Sequence, residues 1–382
     1  MTHNIRPESD IFSDLATICS KPGFAHVIAA ICFRDNVIGI KDEIDAKTIA
    51  GQFRDNRLIR TEISTLIGLW FRSGCSVDIV SQRTISELAI RTEQILEELH
   101  TVIGRPLIDE ISTAKPASNK NPFLKGEVLR EPIFYGGDSA YGFQYRDFSK
   151  LKYASDNEWL IKNRNIDVSL AVNIVSIIGE FQNENLKRHL LTLKNANQST
   201  WTMLPGFAFS AAEIAENSAY TPDQVRFVIE AFSPPLETGN SQFSKIGDFN
   251  IVNAYPIIRI ESEKYLLFHY YTLFEALYEN PFFWMIADKN YKEIAAKNRG
   301  EFLEKFAYER LKTVFGTSKV YRNVKLEIPG KKDAGEIDVL VIFAGRVLLI
   351  QAKTKRLTIE ARKGNDLAIA ADFKASIQDA YD

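Results

Sequence analysis

The sequence has few of the residues that redox, metal-thiolate and membrane chemistry require. Its three cysteines, Cys19, Cys32 and Cys75, show no paired spacing. That excludes a disulfide framework or a zinc ribbon and suits a reducing, cytoplasmic setting. No apolar run approaches the roughly 20 residues that cross a bilayer, and Met1-Thr2-His3-Asn4-Ile5-Arg6 carries no signal-peptide pattern. Of the five histidines, His26, His100, His189 and His269 have no ligand partner in sequence and read as core or cap residues. Tyr135-Gly136-Gly137-Asp138 has glycines but no Gly-Lys-Ser/Thr, so a phosphate-binding P-loop is excluded, and no Gly-x-Ser-x-Gly nucleophile turn occurs. No internal repeat is visible. The net charge of −2 carries no information about partners until it is divided along the chain.

What is present describes an ordinary globular chain: 382 residues, 45% hydrophobic and 25% charged, enough for two or three domains. The expected class is α+β, with mainly helical N-terminal and middle regions before a C-terminal α/β core. Residues 1–112 read as a helical domain from the spacing of Ile11, Leu15 and Ile18, of Ile63, Leu66, Ile67 and Trp70, and of Ile85, Leu88, Ile95 and Leu99. After a polar linker or long loop at Thr113–Lys125, residues 113–205 form a mixed, mostly helical region. Within residues 206–296, Ser210-Ala211-Ala212-Glu213 and Thr221-Pro222-Asp223-Gln224 are consecutive capping boxes that start two short helices. Strand-like Ile251–Ile260 and Tyr265–Phe268 follow, around a turn at Glu261–Lys264. Helix, helix and hairpin resemble a winged helix-turn-helix. Its second helix offers only Arg226 against Asp223 and Glu230, too little for reading DNA, and favours a structural or protein-contact module.

The chemistry lies in residues 297–382. Gly335-Glu336-Ile337-Asp338-Val339-Leu340-Val341-Ile342-Phe343 and Arg346-Val347-Leu348-Leu349-Ile350-Gln351-Ala352-Lys353 read as strands joined by a tight turn at Ala344-Gly345. With that turn Phe343 faces Arg346, Asp338 faces Gln351, and Glu336 faces Lys353. Strand side chains alternate, so Glu336, Asp338, Gln351 and Lys353 are expected on one face at one end of the hairpin. Both faces look buried, because the runs are almost continuously apolar. Charged groups at the end of such strands lose hydration, which costs free energy unless they pair or bind a metal. A structural ion pair of Asp338 or Glu336 with Lys353 would answer that cost. An amide beside a carboxylate fits a hard cation better, since magnesium takes oxygen ligands and the amide adds one without charge.

Upstream, residues 299–315 read as a helix stopped at Gly316. Leu303, Ala307, Leu311, Val314 and Phe315 make its apolar stripe, and Glu304 lies within that stripe between Leu311 and Phe315. A carboxylate turned towards the sheet could join Asp338 and Gln351 around one ion; the bland alternative is a stripe-edge glutamate that reaches water.

Glu304, Glu336-Ile337-Asp338 and Gln351-Ala352-Lys353 together resemble the PD-(D/E)xK nuclease superfamily, most closely its Mrr-like and nuclease-related-domain branches. The resemblance covers residues from about Asn298 onwards. It implies a restriction-endonuclease-like core of helix, three strands, helix and strand: a helix at Asn298–Phe315, a strand at Lys319–Ile328, a turn at Pro329–Asp333, the hairpin, and a helix at Asn365–Tyr381. The last strand would lie beyond the final residue, or the core lacks it. The resemblance further implies a magnesium ion, or manganese in its place, held by Asp338, Gln351, Glu304 and Glu336. Asp338, Gln351, Lys353 and Glu304 would be the catalytic set. Lys353 would orient or deprotonate water, and Glu336 would serve a second ion or position Lys353. Gln351 stands where most members carry Asp or Glu, which lowers the expected metal affinity.

From Lys297 onwards there are 17 Lys and Arg against 12 Asp and Glu, a surplus of five in a chain of net charge −2, as expected for a polyanion substrate. Lys331, Lys332, Lys355 and Arg356, with Arg362 and Lys363, flank the site in sequence and are candidates for nucleic-acid phosphate contacts. The expectation is a magnesium-dependent DNA endonuclease of restriction, anti-phage defence or repair, with RNA as an alternative substrate and no membrane partner. A homo-oligomer or partner protein would engage the helical region. The rival is a catalytically inactive nucleic-acid-binding module or interaction scaffold with a vestigial nuclease fold.

Overall fold

The computed structural model describes residues 6–36, 56–113, 121–136, 139–329 and 331–381. The chain is mixed, 65% helical, with two small antiparallel sheets, the α+β class expected. No single described helix is long and apolar enough to cross a membrane.

The first core forms where helical periodicity lines up apolar residues. Helices α1 (Glu8–Cys19), α2 (Phe24–Asn36), α3 (Arg60–Arg72) and α4 (Gln82–Thr113) bury Leu15, Ile28, Leu66, Trp70, Ile95 and Leu99. His26 is a satisfied core residue, as read from sequence. Its Nδ1 lies 2.6 Å from Thr202 Oγ1 and its Nε2 3.1 Å from the Asp78 carbonyl, and burial lowers its pKa.

Helices α5 (Gly126–Tyr135) and α11 (Ile251–Ala254) join this first core through Phe134, Tyr135, Ile251 and Val252. A second core gathers around α6 (Gly142–Lys152), α7 (Asn157–Arg164), α8 (Val168–Leu193), α9 (Ala211–Glu216), α10 (Pro222–Ala231) and α12 (Tyr270–Ile286). It buries Tyr153, Val175, Ile214, Val228, Phe232 and Leu273, drawn from this group of elements. Both capping boxes form: Glu213 Oε2 accepts from Ser210 N at 2.7 Å, and Gln224 Oε1 accepts from Thr221 N at 3.0 Å. Strands β1 (Ala208–Phe209), β2 (Ile258–Glu261) and β3 (Lys264–Leu266) pair in the order β1-β3-β2.

The second sheet carries the candidate chemistry. Helix α13 (Lys292–Phe315) precedes β4 (Val320–Ile328), β5 (Lys331–Phe343) and β6 (Arg346–Ile350), paired in the order β4-β5-β6. Val320, Val339 and Val341 are buried against Ala307, Tyr308, Leu311 and Phe315 of α13. Ala307, Leu311 and Phe315 of the stripe read from sequence therefore do face the sheet, whereas Val314 of the same stripe is exposed. Ala344 and Gly345 take φ +48° and +72°, the left-handed pair that a two-residue hairpin turn needs, and Phe343 faces Arg346.

Four details differ from expectation. Strand β6 ends at Ile350, so Gln351 and Lys353 follow the strand instead of belonging to it. The hairpin is covered on one face only: Tyr321, Ile342, Val347 and Leu349 line an open face, with Val347 and Leu349 each 61% exposed. The turn at Pro329 is tighter than read, because Ile328 already pairs with Lys331 and β5 begins there. The strand expected over Ile251–Ile260 begins only at Ile258, because Ile251–Ala254 form α11. The helix expected at Asn365–Tyr381 does form, as α15 (Asp366–Phe373) running through a π turn at Lys374–Gln378 into α16 (Asp379–Tyr381), and a short α14 (Ile359–Arg362) precedes it.

Candidate functional site

Strand alternation decides which groups can meet. On β5, Ile337, Val339 and Val341 are buried on the α13 side, so Glu336, Asp338, Leu340 and Ile342 point to the open face. Asp338 sits at the end of that face, where the paired backbone of β6 runs out.

Gln351 continues the ladder with its side chain. Its Oε1 accepts from Asp338 N at 2.9 Å and its Nε2 donates to the Glu336 carbonyl at 2.8 Å. An amide offers one acceptor and one donor group, the pair a strand backbone would have presented. Asp338 Oδ2 in turn accepts from Ala352 N at 2.6 Å. Asp338 and Gln351 are thus brought together as the hairpin count predicts.

Asp338 has a second neighbour that sequence reading passed over. Arg322 pairs with Val339 and Val324 with Ile337, which places Asn323 of β4 opposite Asp338. Asn323 adopts φ +54°, left-handed backbone that side-chain-bearing residues other than Asn and Asp seldom take. The strand keeps its register through this residue. Nothing in strand periodicity signals such a backbone; only the tolerance of Asn for it is a hint.

Glu304 lies elsewhere. Its Oε2 is 3.2 Å from Arg322 Nη2, and Arg322 sits across from buried Val339, on the α13 side of the sheet. Glu304 therefore faces the sheet as expected but reaches the side opposite Asp338, so it does not join Asp338 and Gln351. Lys353 is exposed, beyond the end of β6, and has no ion pair among the described residues. The expected Glu336–Lys353 pairing is absent for the same reason; the residue opposite Glu336 is Lys325 of β4. Among the described residues no group of three His, Cys, Asp or Glu side chains is arranged to hold a metal ion.

Two of the expected phosphate contacts are engaged internally. Lys355 Nζ is 2.8 Å from Asp372 Oδ1, and Arg356 Nη2 is 2.8 Å from Glu279 Oε1. Of the two further flanking cations, Lys363 pairs with Asp248 at 3.0 Å and with Glu360 at 2.9 Å. The side chains of Lys331 and Lys332 lie outside the described residues. Arg299 Nη2 donates to the Thr354 carbonyl at 2.8 Å. The Arg299 and Glu279 contacts hold residues 354–356 towards the helical body, directly after the end of β6.

Compared with family models, curated proteins and solved structures, the chain matches none.

Proposed function

We propose that this chain is a metal-dependent nuclease of the PD-(D/E)xK type that hydrolyses phosphodiester bonds in DNA. The reading rests chiefly on one juxtaposition: the Gln351 amide on the backbone N–H of Asp338, whose carboxylate accepts from the N–H of Ala352, at the rim of a sheet backed by a helix on its other face.

Magnesium binds through one or two carboxylates and keeps several waters. Asp338 Oδ1 makes no hydrogen bond among the described residues, Glu336 is exposed on the same face, and Gln351 Oε1 retains a lone pair beyond its bond to Asp338 N. Those three residues fit a hard cation and would hold it; Glu304 is left out of the set. The ion would supply positive charge beside the scissile phosphate and acidify a bound water. The bond from Ala352 N fixes the orientation of the Asp338 carboxylate. Lys353, without an ion pair of its own, is available to a phosphoryl oxygen whose charge grows in the transition state. A cytoplasmic role in restriction, anti-phage defence or repair would use this chemistry.

The test is incubation of the full chain with plasmid DNA, linear DNA and RNA, in magnesium or EDTA. Cutting should require the metal. Asp338→Ala and Lys353→Ala should each slow it by on the order of a hundredfold or more, whereas Glu304→Gln should leave it intact. Cutting by Asp338→Ala at the wild-type rate would overturn the assignment. The rival, a unit that binds without cutting, draws on the engaged Gln351 amide and on the position of Lys353 past β6. It predicts binding without metal-dependent cleavage under every condition.

A further inference from the structure

Three cations meet one carboxylate where the sheet unit joins the helical body. Glu279 of α12 has Arg356 Nη2 at 2.8 Å and Lys152 Nζ at 3.9 Å. Arg299 of α13 stacks its guanidinium 4.2 Å from the Phe282 ring centre and also senses Glu279. Three cationic side chains therefore share this carboxylate, a surplus of one positive charge when Lys152 is neutral and of two when it is protonated.

The surplus is hard to hold because the site is dry. The Lys152 side chain is 4% exposed, with its Nζ over the Tyr278 ring and donating to the Tyr278 carbonyl at 2.7 Å. That carbonyl also accepts from Tyr153 Oη at 2.5 Å, which itself accepts from Phe282 N at 3.3 Å. Burial, opposed by Glu279 and reinforced by Arg299 and Arg356, pulls the Lys152 pKa down to about 7. Burial likewise lowers Arg299 and raises Tyr278 to about 12. Nor is the cluster closed on itself. Arg356 approaches Glu279 Oε1 off the hydrogen-bonding direction, leaving that buried oxygen without a hydrogen bond. The Arg356 side chain is 52% exposed, which opens the group to solvent.

We propose that Lys152, Arg299 and Arg356 form an anion site that binds a phosphate group of the nucleic-acid strand. The source of the phosphate rests on the nuclease reading; the site itself does not. Arg356 meets the phosphate from the solvent side, Arg299 flanks it, and Lys152 supplies charge from beneath. Thr354, the residue whose carbonyl Arg299 holds, directly follows Lys353. A phosphate here belongs to a nucleotide near the scissile bond. Because Lys152 is poised near neutrality, binding the anion draws a proton onto it.

The experiment uses the full chain carrying Asp338→Ala, a labelled oligonucleotide, and salt and pH titrations; inorganic phosphate is tested separately by thermal stabilisation. Adding Arg356→Gln should weaken oligonucleotide binding about tenfold and flatten the plot of log affinity against log salt by about one unit. Binding should take up a proton near pH 7, measured as a buffer-dependent heat, and Lys152→Met should abolish that uptake. A purely structural Lys152 would leave it unmoved. Unchanged affinity, salt slope and phosphate stabilisation in Arg356→Gln would overturn the site, even where Asp338→Ala had abolished cleavage. Arg356-dependent stabilisation by inorganic phosphate without oligonucleotide binding supports the site, names a free phosphate compound as its ligand and rejects the nuclease reading. A flattened salt slope in a protein that never cuts likewise keeps the site and discards that reading.

Discussion

Single residues set how charge is held in this molecule, and Lys152 shows the sign of the effect. Its ammonium is buried, so the folded chain favours the neutral form and its pKa falls to about 7 from an ordinary value of 10.5. Between those values the unfolded chain binds the extra proton, and stability from this group rises with pH. The cost of the buried charge is fully felt below about 7 and lifts as pH climbs towards 10.5. Urea denaturation from pH 7 to 9 should show Lys152→Met flattening the rise in stability by up to about 1.4 kcal/mol per pH unit. An unchanged slope would mean that Lys152 is hydrated. Sequence could not announce this residue, because its partners come from positions 278, 279, 299 and 356, and no spacing rule joins them. Glu304 was half legible. A helical wheel told that it faces the sheet, but not that Arg322 would meet it on the side away from Asp338.

At the scale of elements the hairpin was the most legible part. A period of two and a two-residue turn fix the register, so the Asp338–Gln351 neighbourhood followed from counting. The end of β6 was not legible, because the residues that meet Thr354 and Arg356 just beyond it, Arg299 and Glu279, come from helices distant in sequence. The open face was misread since continuous apolar strands normally mean cover on both sides, and among the described residues α13 covers one side. The turn yields a test. Ala344 holds φ +48°, which costs an alanine roughly 1 kcal/mol and an asparagine less. Ala344→Asn creates the Asn-Gly pair favoured in such turns and should stabilise the sheet unit by roughly 0.5–1 kcal/mol in denaturant unfolding. Destabilisation would show that the turn is of another type and that the register is displaced with it.

Across the whole molecule, the sheet unit is tied back to the helical body at several separated points. Asn298 Nδ2 donates to buried Asp156 at 2.6 Å, Arg356 pairs with Glu279, Lys363 pairs with Asp248, and Gly126 N donates to Asp366 Oδ1 at 2.6 Å. At the last tie two backbones also approach closely. A Cβ on Gly126 would collide with the Gly364 carbonyl, and Gly364 holds φ +86°, so neither glycine can move aside cheaply. Gly126→Val forces α5 and α14 apart at a strain cost of about 1–3 kcal/mol. Such a cost raises the undocked population of residues 357–381 by roughly ten- to a hundredfold, if cutting is slow compared with reclosing. Trypsin should then cut after Arg362 and Lys363 faster by that factor, well before the helical body unfolds. It should also cut after Arg356, because the Glu279 pair loosens with the same segment. Equal digestion of wild type and variant would mean that the Gly126–Gly364 contact does not govern docking. The Arg356–Glu279 and Lys363–Asp248 pairs would then hold the end of the chain.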